Sequence, residues 1–410
     1  MNNLILNERY ESVNYFLERG KNEKIFIGNK ALIDLSFCSG AIFLGHNNHI
    51  FKKSVKEYLT KEYSLFSNPN KHTVELAKSI KYFFPNFHKI VFCSTGSESV
   101  IKTLRISRAT NKKKKIGIVA GGWHGSTDQT LFYPNKNLKP KPLSSGLSEI
   151  DKKNSIFIPY NNIEETKKIL DKKHNLINCI IVEPVLGCLP VDNARNYLKF
   201  LNKYCIKKNI NLIFDEIITG FRTKEGSVQN KYNIKPDFTI IGKVLGGSLP
   251  IGAIGISRKT YIKMKKLKPK VFFGGTFSGN SFSSFIGNKT INYIKNNKTE
   301  LDKLISHCEY FQKKINQFIK KNDIDAQIYR FDSILRIVFS RKEIKSRFQR
   351  DFFDNKKKNA IKKFENFLFK KNIYSPPNGI ILLSLVTTKN SINYLIKTIC
   401  EGLYLYCKEK

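Results

Sequence analysis

The chain has 410 residues and a formal net charge of +39, and 41% of its residues are hydrophobic. That is enough for a large domain beside a smaller one, and too much apolar material for a disordered chain. Its eight cysteines are scattered with no CxxC pair, which argues against a disulfide scaffold or a zinc site. The first ten residues lack a secretory pattern, and no segment reaches membrane-spanning length without charge, so a cytoplasmic protein is expected. Lysine runs at 112–115 and 356–358 are expected on solvated faces. The charge could attract an anionic partner, but no zinc-finger spacing, RNA-binding motif or basic coiled coil accompanies it, so nucleic acid is not the expected partner.

In chain order, residues 1–45 read as a short helix followed by strands at Lys24–Ile27 and Ala31–Leu35, with a turn at Gly28-Asn29. A glycine-punctuated loop runs from Ser39 to His46. Helical spacing follows over 50–63 and from Thr73 to Ile80. From about 89 to 257, apolar runs at Lys89–Cys93, Ile116–Ala120, Cys179–Glu183, Asn211–Asp215 and Phe238–Gly242 alternate with helical segments, among them Ser99–Thr110 and Leu198–Lys208. Such alternation predicts an α/β fold with a mostly parallel sheet covered on both sides, binding its ligand beyond the carboxyl ends of the strands. After residue 290 the pattern changes. A lysine-rich helix over 297–320 precedes strands at Ser333–Phe339, Asn372–Tyr374 and Ile380–Ser384, with one helix between the first two and another from about 390. The expected division is an N-terminal segment, 1–45, that joins the small domain, a large domain over 46–290, and a C-terminal small domain over 291–410.

Five features fall at predicted strand ends. Ser94-Thr-Gly-Ser-Glu98 precedes a helix, so Gly96, Ser97 and the first amides can cup a phosphate; an ordinary capped turn is the plainer reading. In Gly121-Gly-Trp-His-Gly125, Trp123 can lie flat on a conjugated ring and His124 can support that ring or its oxygen; local packing is the alternative. Glu183 at the next end can pair with an arginine or orient the site, and the loop to Cys188 can pass the ring. Asp215 ends its run, with Ile217 two residues on to pack beneath a ring; metal binding by Asp215 and Glu216 is the rival, weakened by the lack of a nearby histidine pair. Lys243 interrupts an apolar run before Gly246-Gly247. An acid and a lysine on adjacent strand ends are what a pyridine-aldehyde cofactor needs: the amine holds the aldehyde as an imine, and the acid keeps the ring nitrogen protonated. A sixth feature, Phe273–Asn280, is rich in small and hydroxyl residues and suits a second phosphate contact, supplied either within the chain or by a partner subunit.

The order of these features resembles the class III, fold-type I pyridoxal-phosphate aminotransferases, and within them the glutamate-1-semialdehyde aminomutase branch. The resemblance covers most of the chain. It runs through Gly45-His46, Ser94–Glu98, Trp123–Gly125, Glu183-Pro184, Asp215–Arg222, Lys235–Asp237, Gly242–Gly247 with Pro250–Gly252, and Gly275–Asn280. It implies pyridoxal 5'-phosphate on Lys243, Asp215 at the pyridine nitrogen, Trp123 and Ile217 on the two ring faces, Gly96 and Ser97 at the phosphate, and no metal. It also implies a homodimer in which Thr276 reaches the neighbouring subunit's phosphate. Where the branch has an asparagine near the ring hydroxyl, this chain has Cys188. An arginine-bearing segment that addresses the substrate carboxylate has no equivalent before Phe26, and residues 376–384 lack the branch's acid. On these differences the expected activity is transamination from an amino donor to a keto or aldehyde acceptor, such as a sugar or another anionic metabolite. The aminomutase reaction is the alternative, and an inactive binding scaffold a further one. Ser39 and Arg336 are candidate substrate contacts; for Arg336, an exposed strand arginine is the plainer reading.

Overall fold

In a computed structural model the described residues are 15–66, 69–376 and 379–408. The helix expected near the start falls on residues 1–14, outside them. The centre of the molecule is a seven-stranded sheet. Its strands run in the order Lys89–Cys93, Gly252–Ile256, Phe238–Ile241, Asn211–Asp215, Ile177–Val182, Lys115–Val119 and Ser155–Ile158. All are parallel except Gly252–Ile256, which is antiparallel to both neighbours. The middle strands are buried on both faces. Ile177–Val182, Asn211–Asp215 and Phe238–Ile241 have no exposed residue, as expected where helices cover a parallel sheet.

The covering helices start where the sequence provides caps. Thr95 accepts from the Glu98 amide and opens Gly96–Asn111, which buries Val100, Leu104 and Ile106 against the sheet. Arg195–Lys208 buries Tyr197, Leu198, Leu201 and Cys205 on the other face. Each such apolar side chain contributes roughly 1.5–3 kcal/mol when fully buried.

Both chain ends build smaller sheets beside this core. Arg19–Lys21, Lys24–Ile27 and Lys30–Asp34 form an antiparallel meander, and Ile373–Tyr374 adds in parallel to Lys30–Asp34. Gln327–Phe331, Ile334–Val338 and Ile380–Leu382 form a second, antiparallel sheet. The long helix Lys298–Lys321 and the last helix Lys389–Cys407 pack in the same core cluster. Between Ile334–Val338 and Ile373–Tyr374 there are two helices, Arg347–Lys356 and Lys358–Lys370, where one was expected. They meet at Lys357, whose amine is tied to the Asp325 carboxylate. The central lysine of the 356–358 run is therefore not on a solvated face, whereas Lys356 and Lys358 are.

Among the described residues no helix is long and apolar enough to cross a membrane, and no group of His, Cys, Asp or Glu is arranged to hold a metal ion.

Candidate active site

The five strand-end features converge at the carboxyl edge of the parallel strands. Asp215 is the last residue of its strand and stands in register with Ile240 on the neighbour, so Lys243 follows three residues past that partner. Lys243 opens a short 3-10 turn with φ of 48°. A non-glycine residue in this region is uncommon and is held there by its surroundings. Burial pulls the Lys243 ammonium below the ordinary lysine range. The Arg222 cation acts in the same direction, while Glu183 and Asp215 oppose it.

Asp215 is buried and has two partners. One oxygen lies 2.8 Å from Nδ1 of His124, and the other accepts from the Ile217 amide at 3.2 Å. His124 therefore acts through the acid rather than reaching for a ring oxygen. Its Nε2 is buried without a hydrogen-bond partner among the described residues.

Glu183 is buried and binds backbone instead of the arginine considered from sequence. Its two oxygens accept from the Trp123 amide at 2.8 Å and the Gly187 amide at 2.7 Å. One carboxylate thereby fixes two loops that line the cleft. Burial, reinforced by Asp215, raises its pKa. Glu216, the neighbour of Asp215, points the other way. It accepts from Thr219, Val228 and Gln229, which uses up the oxygens that a shared metal site would need. Burial pushes its pKa up to about 7.

The phosphate-cup candidates meet the rest of the site closely. A Cβ on Gly96 would stand 2.7 Å from Cδ1 of Ile217. Gly125, at φ +77°, brings the loop so near that a Cβ would lie 2.5 Å from the Ser97 hydroxyl oxygen, and that oxygen accepts from the Ser126 amide at 3.1 Å. The result is a narrow cradle at a helix start, lined by amides and a hydroxyl, with an acid and an amine further in. Such a cradle suits a phosphate on a pyridine aldehyde. The orphaned His124 nitrogen and the paired Asp215 add a polar wall.

The other candidates are placed less simply. The Trp123 indole is 54% exposed in the single chain, while its backbone is held by Glu183. Cys188 turns its thiol to the Gly121 carbonyl at 3.2 Å and its own carbonyl to Arg350 at 3.1 Å; burial raises the thiol's pKa. Ser39 is exposed in a turn in which Phe37, Cys38 and Ser39 all have positive φ. Arg336 is buried, not an exposed strand arginine, and pairs with Asp354 at 3.3 Å. Thr276 is exposed. Its loop is moored by the buried Lys102, which donates to the Phe273 carbonyl at 2.8 Å and pairs with Glu98.

Two groups that act on the charge of Lys243 have no role assigned from sequence, although Arg222 closes one of the motifs. Cys38 is one, close enough to act on the lysine's charge. Arg222 is the other. It is fully buried, donates to the Gly40 carbonyl at 2.7 Å and the Leu383 carbonyl at 3.1 Å, and lies 4.4 Å over the Phe43 ring. Burial pulls its pKa down to about 9. The available signal was a lone cation closing the apolar Ile217–Arg222 run.

This arrangement, on this sheet, defines a pyridoxal-phosphate-dependent transferase of fold type I. The model of the class-III aminotransferases matches residues 5–359, and the chain belongs to that family. A glutamate-1-semialdehyde 2,1-aminomutase of Archaeoglobus fulgidus is 30% identical over 95% of this chain and 92% of its own length. Another, of Wigglesworthia glossinidia brevipalpis, is 34% identical over 79% and 75%. Among solved structures, an omega-transaminase from Sphaerobacter thermophilus superposes with a TM-score of 0.85 at 20% identity, covering 95% of this chain and 90% of the other. A glutamate-1-semialdehyde aminomutase from Pseudomonas aeruginosa has the same TM-score at 13% identity, covering 96% and 88%. The protein is thus a pyridoxal-phosphate enzyme that moves an amino group, not an inactive scaffold.

Proposed function

We propose that this enzyme is an aminomutase of the glutamate-1-semialdehyde type, moving an amino group between adjacent carbons of one substrate to form 5-aminolevulinate. The observation that carries this reading is the run of relatives bearing that name at 30–34% identity, several of them matched along nearly their whole length. It displaces the preference for a separate sugar-like acceptor drawn from sequence differences, for which the relatives offer no support.

The chain's residues divide the work. Gly96, Ser97 and the helix start would hold the cofactor phosphate. Asp215, oriented by His124, would face the ring nitrogen, with Ile217 beneath the ring and Trp123 available on its other face. When bound, the cofactor supplies the electron sink that acidifies the substrate carbon beside the amine. Lys243 would anchor the cofactor and, once freed by the substrate amine, would be the base that carries a proton between the substrate carbon bearing the nitrogen and the cofactor carbon on the other side of that nitrogen. Its lowered pKa keeps more of the amine neutral for both tasks. Glu183 keeps the Trp123 and Gly187 loops in place around the reacting atoms.

The same reading includes a homodimer. Thr276 stands in an exposed loop between Phe272 and Phe277, which are 73% and 59% exposed, and a second subunit would cover these rings and receive Thr276 at its phosphate. All eight cysteines are free thiols, which supports the cytoplasmic assignment. Purified holoenzyme given glutamate-1-semialdehyde should form 5-aminolevulinate without any added amino donor. Turnover only with donor–acceptor pairs would replace this reading by intermolecular transamination.

A further inference from the structure

The stretch between Lys265 and Ser281 contains no helix or strand, yet it carries the exposed Thr276. A segment of this length without a backbone ladder of its own takes its shape from side-chain tethers. Its far end is held at the Gly279 carbonyl, which accepts from Thr73 at 2.8 Å and from Asn70 at 3.2 Å. Its near side is held by one face of the helix Gly96–Asn111. Glu98, Lys102 and Arg105 follow one another at spacings of four and three residues, so they form a single stripe along that helix. Arg105 donates to the Phe272 carbonyl at 3.0 Å. Lys102 donates to the Phe273 carbonyl at 2.8 Å and to the Ser278 hydroxyl at 3.2 Å, and it pairs with Glu98. The Ser278 hydroxyl in turn donates to Glu98 at 3.0 Å.

Lys102 is the unusual member of the stripe. It is buried, and a buried ammonium is costly unless its donors are matched. Its three N–H groups meet three acceptors, two of them on the loop. The tether acts close to the tip. The Ser278 amide donates to the Gly275 carbonyl at 3.0 Å, which closes a turn with Thr276 and Phe277 at its centre. The turn sits tightly on the stripe: a Cβ on Gly275 would stand 2.9 Å from a Glu98 carboxylate oxygen and 2.5 Å from the Ser278 hydroxyl oxygen. Phe272 and Phe277 keep their rings exposed, so their packing within the chain does little to hold the tip. The other oxygen of Glu98 accepts from the Ser94 amide at 2.6 Å, at the entrance to the helix start where Gly96 and Ser97 stand. One carboxylate therefore touches both the phosphate cradle and the loop.

We propose that Lys102 is a positioning residue for the neighbouring subunit's cofactor, fixing the turn over 275–278 so that Thr276 meets the phosphate held there. The helix Gly96–Asn111 then serves two phosphates, one at its first turn and one through the loop strapped to its flank. The proposal rests on the proposed homodimer, and it holds for mutase and transaminase alike.

The test uses hybrid dimers purified from two differently tagged chains. Lys243→Ala in one subunit leaves a single site that can be fixed covalently, so borohydride labelling after titration with pyridoxal 5'-phosphate counts that site alone. In the first hybrid, Lys102→Met is placed on the subunit that keeps Lys243. In the second, it shares a chain with Lys243→Ala. The second hybrid should need about tenfold more cofactor or beyond for half-labelling, whereas the first should match a hybrid carrying Lys243→Ala alone. Lys102→Arg in place of Lys102→Met should recover part of the affinity. Ser278→Ala leaves the Lys102–Glu98 pair in place and should give the same pattern with a smaller loss, and it decides the matter if Lys102→Met does not fold. A loss confined to the first hybrid, an equal loss in both, or no loss in either overturns the proposal. Holoenzyme that is monomeric by light scattering overturns the homodimer and the proposal with it; a dimer without the loss in the second hybrid overturns the proposal alone.

Discussion

The two sides of the catalytic cleft are held by different physics. The sheet side carries Asp215, Glu183 and Lys243 at or just past strand ends buried on both faces, and the two carboxylates are fixed by short bonds to loops that begin at those ends. The opposite side is gathered from distant parts of the chain, the turn at residues 37–40 and the carbonyl of Leu383. It is joined through Arg222. The first side is rigid because the sheet is rigid. The second is only as well placed as its guanidinium contacts. Chemistry common to a family belongs on the first, and substrate choice on the second.

Substitutions can break that contrast or sharpen it. The largest effect is expected for Lys243→Ala, which should cut turnover by about 10²–10⁴-fold or more and abolish borohydride-fixed cofactor label at this position, with thermal unfolding little changed; peptide mass mapping and a melting curve decide it. Asp215→Asn comes next, with about 10²–10³-fold lower turnover at saturating cofactor. Near-normal rates would remove the acid from the sheet side's chemistry.

Arg222→Met probes the join between the two sides. It leaves the Gly40 and Leu383 carbonyls without their donor, at roughly 1–3 kcal/mol each by chemical denaturation. It also removes a cation that lowers the Lys243 pKa, so the pH at which Lys243 becomes competent to capture the aldehyde should move upward. An unchanged pH profile would make Arg222 purely structural. The smallest effect is expected for Ser39→Ala. The side chain is exposed, so stability should stay within about 0.5 kcal/mol and cofactor affinity should not change; a large loss of cofactor in equilibrium dialysis would put residue 39 on the wrong side of the comparison.

The same contrast explains what could be read from sequence. Lys89–Cys93 and Asn211–Asp215 were expected with the bounds they have, because a buried strand is a compact apolar run ended by a polar residue. Gly252–Ile256 was not anticipated; two glycines in five residues hide its β-character, and its antiparallel direction is set by the neighbours it slots between. The two helices at 347–370 read as one because their apolar spacing barely falters at Lys357, and only the long-range pairing with Asp325 marks the break. The partners of Glu183 were out of reach for a related reason: backbone amides leave no trace in residue identity. Trp123, Gly96 and Ser97 were legible as a group because short-range loop chemistry places them.

Asp215 and Glu216 sit side by side in the chain and face opposite sides of the sheet edge, one toward His124 and the other toward Val228 and Gln229. Extended backbone alternates its side chains with a period of two. Inserting or deleting a single residue within Asn211–Asp215 would therefore exchange the two carboxylates, leaving composition almost untouched while presenting the acid pinned by Val228 and Gln229 to the cleft.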